Sequence, residues 1–154
     1  MESEVNGPTR RPAQDSVERA LAEVGDHWTF LVLREAFFGV RRFDEIQTNI
    51  GVSPAVLAGR LKRLVAAHVL DRVAYSERPP RFEYRLTDKG LDLYQVIAAL
   101  VRWGDRWLDG GAGAPLVLEH RCGHAPDLVL RCDGCGEELD ARAMRWSPGP
   151  GAGR

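Results

Sequence analysis

The three cysteines of the chain lie in its last third, in two short segments. Cys132 and Cys135 are separated by two residues in the segment RCDGCGEEL, and Cys122 lies in the segment HRCGH. The Cys-x-x-Cys-Gly spacing lets two thiolates reach one metal ion, and the glycine permits the turn whose backbone N–H groups point at sulfur. This chemistry predicts either a metal site or a thiol–disulfide pair.

The pattern favours a structural zinc site over the redox pair. A thioredoxin-like redox pair stands at a strand-to-helix junction of a βαβ unit, and no such pattern surrounds these cysteines. A tetrahedral Zn²⁺ site needs four ligands, and a histidine next to Cys122 completes the set. His124 is the predicted histidine, with His120 as the alternative. The sequence therefore predicts a closed site formed by Cys122, His124, Cys132 and Cys135.

Composition limits what the rest of the chain can be. Hydrophobic residues make up 44% and charged residues 28%, which is typical of a globular protein. The net charge of −1 excludes a chain that is basic throughout, so nucleic-acid binding would depend on a local patch. The chain shows no apolar run of membrane-spanning length and no signal peptide, so we expect a cytoplasmic location, where thiols stay reduced.

Helical periodicity begins at Asp15. The segment DSVERALAEVG predicts a first helix, and HWTFLVLREAFFG predicts a second that is apolar nearly all round and therefore central to the core. RRFDEIQTNIG predicts a short third helix. SPAVLAGRLKRLVAAHVL predicts a fourth, which begins with Ser53 as N-cap and Pro54 at the first helical position. Its core-facing stripe is predicted to consist of Leu57, Leu61, Leu64 and His68.

The periodicity then changes to that of strands. LDRVAYSE and RFEYRLT alternate in polarity on either side of the turn RPPR, and a last long helix is predicted from Thr87 to about Leu108. Four helices, a hairpin and a helix predict a mainly α winged helix-turn-helix with a β-hairpin wing. The predicted domains are a disordered arm (1–14), the winged-helix domain (15–109), a linker (110–116), a zinc-ribbon-like tail (117–146) and a disordered end (147–154).

The helix-turn-helix predicts a DNA-binding surface. The second helix of such a pair lies in the major groove, and its N-terminal half faces the bases. Arg60 and Arg63 share one outer face and are predicted to reach base edges or phosphates, while a stiff basic wing tip suits a phosphate or minor-groove contact. The predicted DNA-binding residues are Arg41, Arg42, Ser53, Ala55, Val56, Gly59, Arg60, Lys62, Arg63, Arg78 and Arg81.

The same residues resemble the HxlR family of bacterial winged-helix regulators. The resemblance covers about residues 15–108 and is carried by SVERALAEVGDHWTFLVLREAFFGVRRFDEI, GVSPAVLAGRLKRL and YSERPPRFEYRLTDKG. It implies a homodimeric transcriptional regulator on a pseudo-palindromic operator, most commonly a repressor. Two positions depart from the family. Asp15 stands where many members have a sensor cysteine, and Gly25-Asp26-His27-Trp28 replaces the frequent Gly-Gly-Lys-Trp.

The last helix carries more apolar surface than one packing face uses, which predicts a two-fold partner. The predicted dimer interface consists of Val17, Leu21, Val24, Leu93, Val96, Leu100, Trp103 and Trp107. Aromatic residues there (Trp28, Phe37, Trp103, Trp107) either line a small-ligand cavity or simply belong to the core and interface. The regulator would then respond to a ligand, an oxidant or a metal. No catalytic constellation predicts an enzyme, and the alternative function is a protein-interaction module with a structural zinc hook.

Overall fold

A computed structural model describes residues 15–151 of the chain, so the predicted arm 1–14 and the last three residues lie outside the described part. The chain forms two compact units. One comprises residues 17–101, and the other takes in residues 15–16 and 102–151 of the described part. The element order is α1 (Ser16–Val24), α2 (His27–Phe37), α3 (Phe43–Ile50), α4 (Pro54–Ala66), β1 (Leu70–Glu77), β2 (Pro80–Leu86), α5 (Asp88–Asp92) and α6 (Tyr94–Trp107).

This order confirms the winged helix-turn-helix prediction. The apolar core is formed by buried residues of α1, α2, α3, α4 and α6 and by the start of β1. Its fully enclosed members include Leu33, Ile46, Leu57, Leu61, Leu64 and Leu70. Leu57, Leu61 and Leu64 follow one another at intervals of four and three residues, so α4 buries one continuous stripe. Burying that stripe fixes the rotation of α4 and leaves its opposite face in solvent.

The termini of the helices follow from local sequence. Ser53 caps α4 by accepting a hydrogen bond from the Val56 N–H, and Pro54 occupies the first turn, as predicted. Gly51 ends α3 with a φ of 67°, a left-handed conformation that costs other residues steric strain. These two positions set the tight turn between α3 and α4.

The wing is an antiparallel hairpin whose register runs from Leu70 opposite Leu86 to Glu77 opposite Pro80, with an irregularity between Ala74 and Ser76. A short bridge between Arg42 and Glu83 adds the segment before α3 to the edge of β2. The hairpin is thereby joined to the helix-turn-helix on its N-terminal side.

Three predicted details differ from the structure. His68 is exposed and adopts a φ of 56° in the turn after α4, because the helix ends at Ala66. The single helix predicted from Thr87 is two helices with a break at Leu93, although Thr87 is the N-cap as expected. The tail predicted to resemble a zinc ribbon has no regular strand among its described residues, and its pairing is one isolated bridge between Arg131 and Glu138.

Candidate nucleic-acid interface and cysteine cluster

The outer face of α4 is the surface left free by core packing. Ala55, Gly59, Lys62 and Arg63 are exposed, whereas Val56 is half-buried and packs against the core. The small residues Ala55, Ala58 and Gly59 keep this face flat, so a partner can approach the backbone closely. Lys62 makes no hydrogen bond or ion pair with the residues that the structure describes, and its ammonium group is available to a ligand.

Further basic side chains lie before α3 and at the tip of the wing. Arg41 and Arg42 precede α3, and the Arg41 carbonyl accepts a hydrogen bond of 2.8 Å from the Tyr84 N–H. Arg78 and Arg81 stand at the exposed wing tip. Within the described part of the chain, the side chains of Arg41, Arg78 and Arg81 make no ion pair, while the Arg42 guanidinium lies 4.9 Å from the centre of the Tyr75 ring. These exposed cations belong to the predicted DNA-binding set, and that assignment stays a prediction.

Arg60 and Arg63, the two predicted base-reading residues, both contact Asp26 at the start of α2. The Arg60 Nε lies 2.8 Å from one Asp26 carboxylate oxygen, an ion pair whose N–H is not aligned for a hydrogen bond. An Arg63 nitrogen lies 3.8 Å from the other oxygen, and Arg63 donates a 3.1 Å hydrogen bond to the Ala22 carbonyl. Both guanidinium groups are thus turned toward the α1–α2 junction.

Asp26 is the residue that sequence reasoning missed. It is the N-cap of α2, and it accepts hydrogen bonds from both the backbone N–H and the hydroxyl of Thr29. The spacing Asp-x-x-Thr before an apolar helix signals this cap. Nothing in the sequence signals its contact with Arg60, which lies far along the chain on another helix.

The surroundings of Asp26 lower its pKa. Partial burial raises the pKa of this carboxyl, but the two Thr29 hydrogen bonds and the charges of Arg60 and Arg63 together outweigh that effect. The pKa is therefore lower in the folded than in the unfolded chain. As the pH falls, the unfolded chain binds a proton first, so this stabilisation is present above about pH 4 and is lost below it.

We expect Asp26→Asn to flatten the acid limb of the stability profile. Asparagine keeps the cap acceptor but loses the charge that pairs with the two arginines, so stability at neutral pH should fall by up to about 1 kcal/mol. Chemical denaturation between pH 3 and 7 measures this (a range around the carboxyl pKa of about 4). Asp92→Asn, at an exposed carboxylate with no ion pair among the described residues, is the matched control. Equal acid sensitivity of wild type and Asp26→Asn would contradict the assignment.

The predicted dimer residues divide between core and surface. Val24 is buried and Leu93 packs against the core, so both contribute to the fold of one subunit. The others are exposed: Val17, Leu21, Val96, Leu100, Trp103 and Trp107. On α6 the exposed members recur every three or four residues and therefore form one apolar helix face. Of the aromatic residues considered for a ligand cavity, Trp28 and Phe37 pack against the core, whereas Trp103 and Trp107 lie in solvent.

The tail brings Cys132 next to Cys135, and Cys122 next to His120. The N–H groups of Cys135 and Gly134, followed by the Cys135 thiol, hydrogen-bond to the Cys132 sulfur and lower the pKa of the Cys132 thiol. Separately, the His120 Nδ1 lies 3.1 Å from the Cys122 sulfur. Among residues 15–151, no three His, Cys, Asp or Glu side chains lie close enough together to hold a metal ion. The predicted four-residue site is not assembled among these residues, and the side chain that contacts Cys122 is that of His120, the alternative ligand.

A comparison with known families decides the class of the protein. The HxlR-like helix-turn-helix model matches residues 23–111, more than half of the chain. The chain belongs to the HxlR-like helix-turn-helix family. It is a DNA-binding transcriptional regulator rather than an enzyme, as its relatives' names also indicate. No helix within residues 15–151 is long and apolar enough to cross a membrane.

Two similar proteins extend the similarity beyond the family region, and a third matches a shorter part of the chain. An uncharacterized HTH-type transcriptional regulator of Mycobacterium tuberculosis (strain ATCC 25618 / H37Rv) is 49% identical over 138 residues, which cover 89% of this chain and 87% of the relative. The crystal structure of PA1607, a transcription-factor candidate, has a TM-score of 0.79 at 35% identity and covers 88% of this chain and 95% of that one. The reduced form of the transcriptional regulator YodB from B. subtilis has a TM-score of 0.53 at 29% identity, covering 64% and 99%.

Proposed function

We propose that this HxlR-like protein is a homodimeric repressor that binds a pseudo-palindromic operator through α4 and the wing. The observation that carries the proposal is the exposed face of α4, which is flat and carries Lys62, a cation with no ion pair among the described residues. The helix is held to the core by Leu57, Leu61 and Leu64, so its outer face is presented rigidly. A flat cationic helix in the major groove gains affinity mainly from phosphates and groove shape.

The basic residues form two groups with different expected roles, according to whether their side chains already pair with Asp26. One group has no ion pair among residues 15–151 and would neutralise phosphates: Lys62, Arg41, Arg78 and Arg81. Arg60 and Arg63 would contact base edges only by sharing or releasing Asp26, so their contribution is partly offset by the ion pairs they give up. Ser53 would remain the cap of α4, where its position at the helix N-terminus also suits a phosphate oxygen.

Dimerisation is supported by the uncovered apolar face of α6. Trp103 and Trp107 are each more than half exposed, which is costly for large aromatic side chains in a monomer. When this face of α6 packs against the same face of a second subunit, the two α4 helices are related by two-fold symmetry. They would then lie about 34 Å apart on one side of the duplex. A dimer that occupies promoter DNA would exclude the polymerase, which is the basis for proposing repression.

Any response of this chain to an oxidant or a metal would use cysteines outside the first helix. One solved neighbour is named the redox regulator HypR, in its reduced form, with a TM-score of 0.55 at 26% identity over 60% of this chain and 92% of that one. In this chain Asp15 stands at the first-helix position where many family members have cysteine, and all three cysteines lie in the tail. We therefore place any oxidant or metal response in the tail.

Alanine substitution of free cations tests the DNA-binding surface. We expect Lys62→Ala and Arg81→Ala each to weaken binding by roughly 3- to 10-fold for all duplexes alike and to reduce the slope of log K against log salt by about 1, because each removes one phosphate contact. Fluorescence anisotropy with the DNA upstream of the protein's own gene, and with a scrambled duplex, measures both effects over a salt series.

Arg145→Ala is the matched control, since it removes one exposed positive charge from the tail. It should leave the salt slope unchanged. If the wild-type protein showed no difference between the two duplexes and no salt dependence, the alternative of a protein-interaction module would be favoured instead. If Arg145→Ala matched Lys62→Ala, the effect would reflect net charge and the assigned surface would be wrong.

A further inference from the structure

The tail lacks the hydrophobic core that would hold it folded. Among the described residues 102–151 no side chain is buried, and the apolar ones are largely in solvent: Leu116, Val117, Leu130, Leu139 and Met144. A unit of this size cannot offset its conformational entropy by such weak burial, and small units of this kind depend on a disulfide or a metal. The three cysteines are free in the structure, so no disulfide supplies the link.

A first tight turn is built around Cys132 and Cys135. The Cys132 N–H donates to the Glu137 carbonyl (2.9 Å), and the Gly136 N–H donates to the Cys132 carbonyl (2.8 Å). Gly136 follows Cys135 directly and has a φ of 78°, which a larger residue adopts only with strain. The backbone at Gly134 passes close to the Cys132 sulfur, since a Cβ added there would lie 3.7 Å from it, and backbone N–H groups beside a sulfur stabilise a thiolate ligand.

A second turn repeats this design with histidine in the first position. The His120 N–H donates to the His124 carbonyl (2.9 Å), and the Gly123 N–H donates to the His120 carbonyl (2.8 Å). Gly123 follows Cys122 directly and has a φ of 83°. His120 therefore occupies the place that Cys132 holds in the first turn, and its ring contacts the cysteine of its own turn, as a pair of ligands to one ion would.

We propose that the two turns close on one Zn²⁺, bound by His120, Cys122, Cys132 and Cys135. Three thiolates and one imidazole are the ligands of a closed structural zinc site. Nine residues, 123–131, separate Cys122 from Cys132 and have no regular secondary structure apart from the bridge at Arg131, so no helix or strand holds the two turns apart. The ligand set differs from the spacing-based prediction at one position, because His120 replaces His124.

The role proposed for the zinc is to fold the tail. Arg131 already braces the first turn through hydrogen bonds to the Gly136 carbonyl and the Glu138 carboxylate, so the metal would join two turns that are each formed locally. Metal binding would then order residues 117–146 and leave the winged-helix unit unaffected. This inference is independent of the proposed operator binding.

Cobalt titration of the full chain tests the site. Purified protein, reduced and freed of metal by a chelator, should take up one Co²⁺ per chain with the absorption of tetrahedral cobalt and of thiolate-to-metal charge transfer, and Zn²⁺ should displace it. Cys135→Ser and His120→Ala should weaken binding by more than about 100-fold, since even the partners of metal ligands contribute 10- to 100-fold.

His124→Ala is the matched control and should bind Co²⁺ as the wild type does. Absence of cobalt uptake by the reduced chain would overturn the site, as would octahedral cobalt without thiolate absorption. A strong effect of His124→Ala with none of His120→Ala would overturn the assigned ligand set. Limited proteolysis gives a second readout, since zinc should protect residues 117–146 from cleavage and a chelator should remove that protection.

Discussion

Leu100→Glu should convert the protein to a monomer and weaken operator binding by more than about 100-fold. Leu100 is 49% exposed at the middle of the apolar face of α6, so a carboxylate there places two buried negative charges against each other in a symmetric dimer. Each α4 helix would then bind its half-site alone. The effective concentration that links two half-sites is in the millimolar range, and its loss accounts for the expected magnitude.

Analytical ultracentrifugation and anisotropy measure the two parts of this prediction on the same samples. The wild type should sediment at twice the chain mass of 17.1 kDa. Leu116→Glu is the matched control, because Leu116 is 48% exposed but lies outside α6. A Leu100→Glu protein that remained dimeric would place the interface elsewhere. A monomeric variant with unchanged operator affinity would remove the need for a dimer in DNA recognition.

The sequence predicted those parts of the fold that depend on neighbouring residues. Ser53, Pro54 and Thr87 act as helix-start signals because a cap is a contact between residues two or three positions apart. The two strands of the wing followed from their alternation of polarity. The order of helices and hairpin was therefore readable before any tertiary contact was known.

Contacts between helices could not be predicted from periodicity alone. The last helix has two apolar stripes, and periodicity alone does not say which stripe faces the core; in the structure Ile97 is buried, whereas Leu100, which was predicted to face a partner subunit, is exposed. The same limit applies to Arg60, whose helical position predicted an outward side chain but whose charge is satisfied by Asp26 on another helix. Positions along α4 thus predicted the candidate DNA-binding surface. Only the structure shows which of its cations are paired with a carboxylate.

The largest expected effect on stability comes from a single methyl group at Gly90. This glycine of α5 is buried, and a Cβ there would lie 2.2 Å from the Val69 carbonyl oxygen and 3.0 Å from the Leu86 Cδ2. Since the closest atom belongs to the backbone, α5 would have to move away from the junction of α4 and the wing. We expect Gly90→Ala to destabilise the fold by about 3 kcal/mol.

Gly59→Ala makes the same chemical change in α4 and should act in the opposite direction. A Cβ at Gly59 meets nothing within 4 Å, so alanine adds helix propensity without a clash and should stabilise the fold by roughly 0.5 to 1 kcal/mol. Urea denaturation of both variants should show a lower free energy of unfolding for Gly90→Ala and a higher one for Gly59→Ala.

In Gly90→Ala the displaced α5 would also strain the hydrogen bonds from the Thr87 hydroxyl to the His68 and Val69 carbonyls, which join the wing to the end of α4. Gly90→Ala should therefore weaken DNA binding even where it is folded, and a folded variant with wild-type stability and affinity would show that α5 does not position the wing.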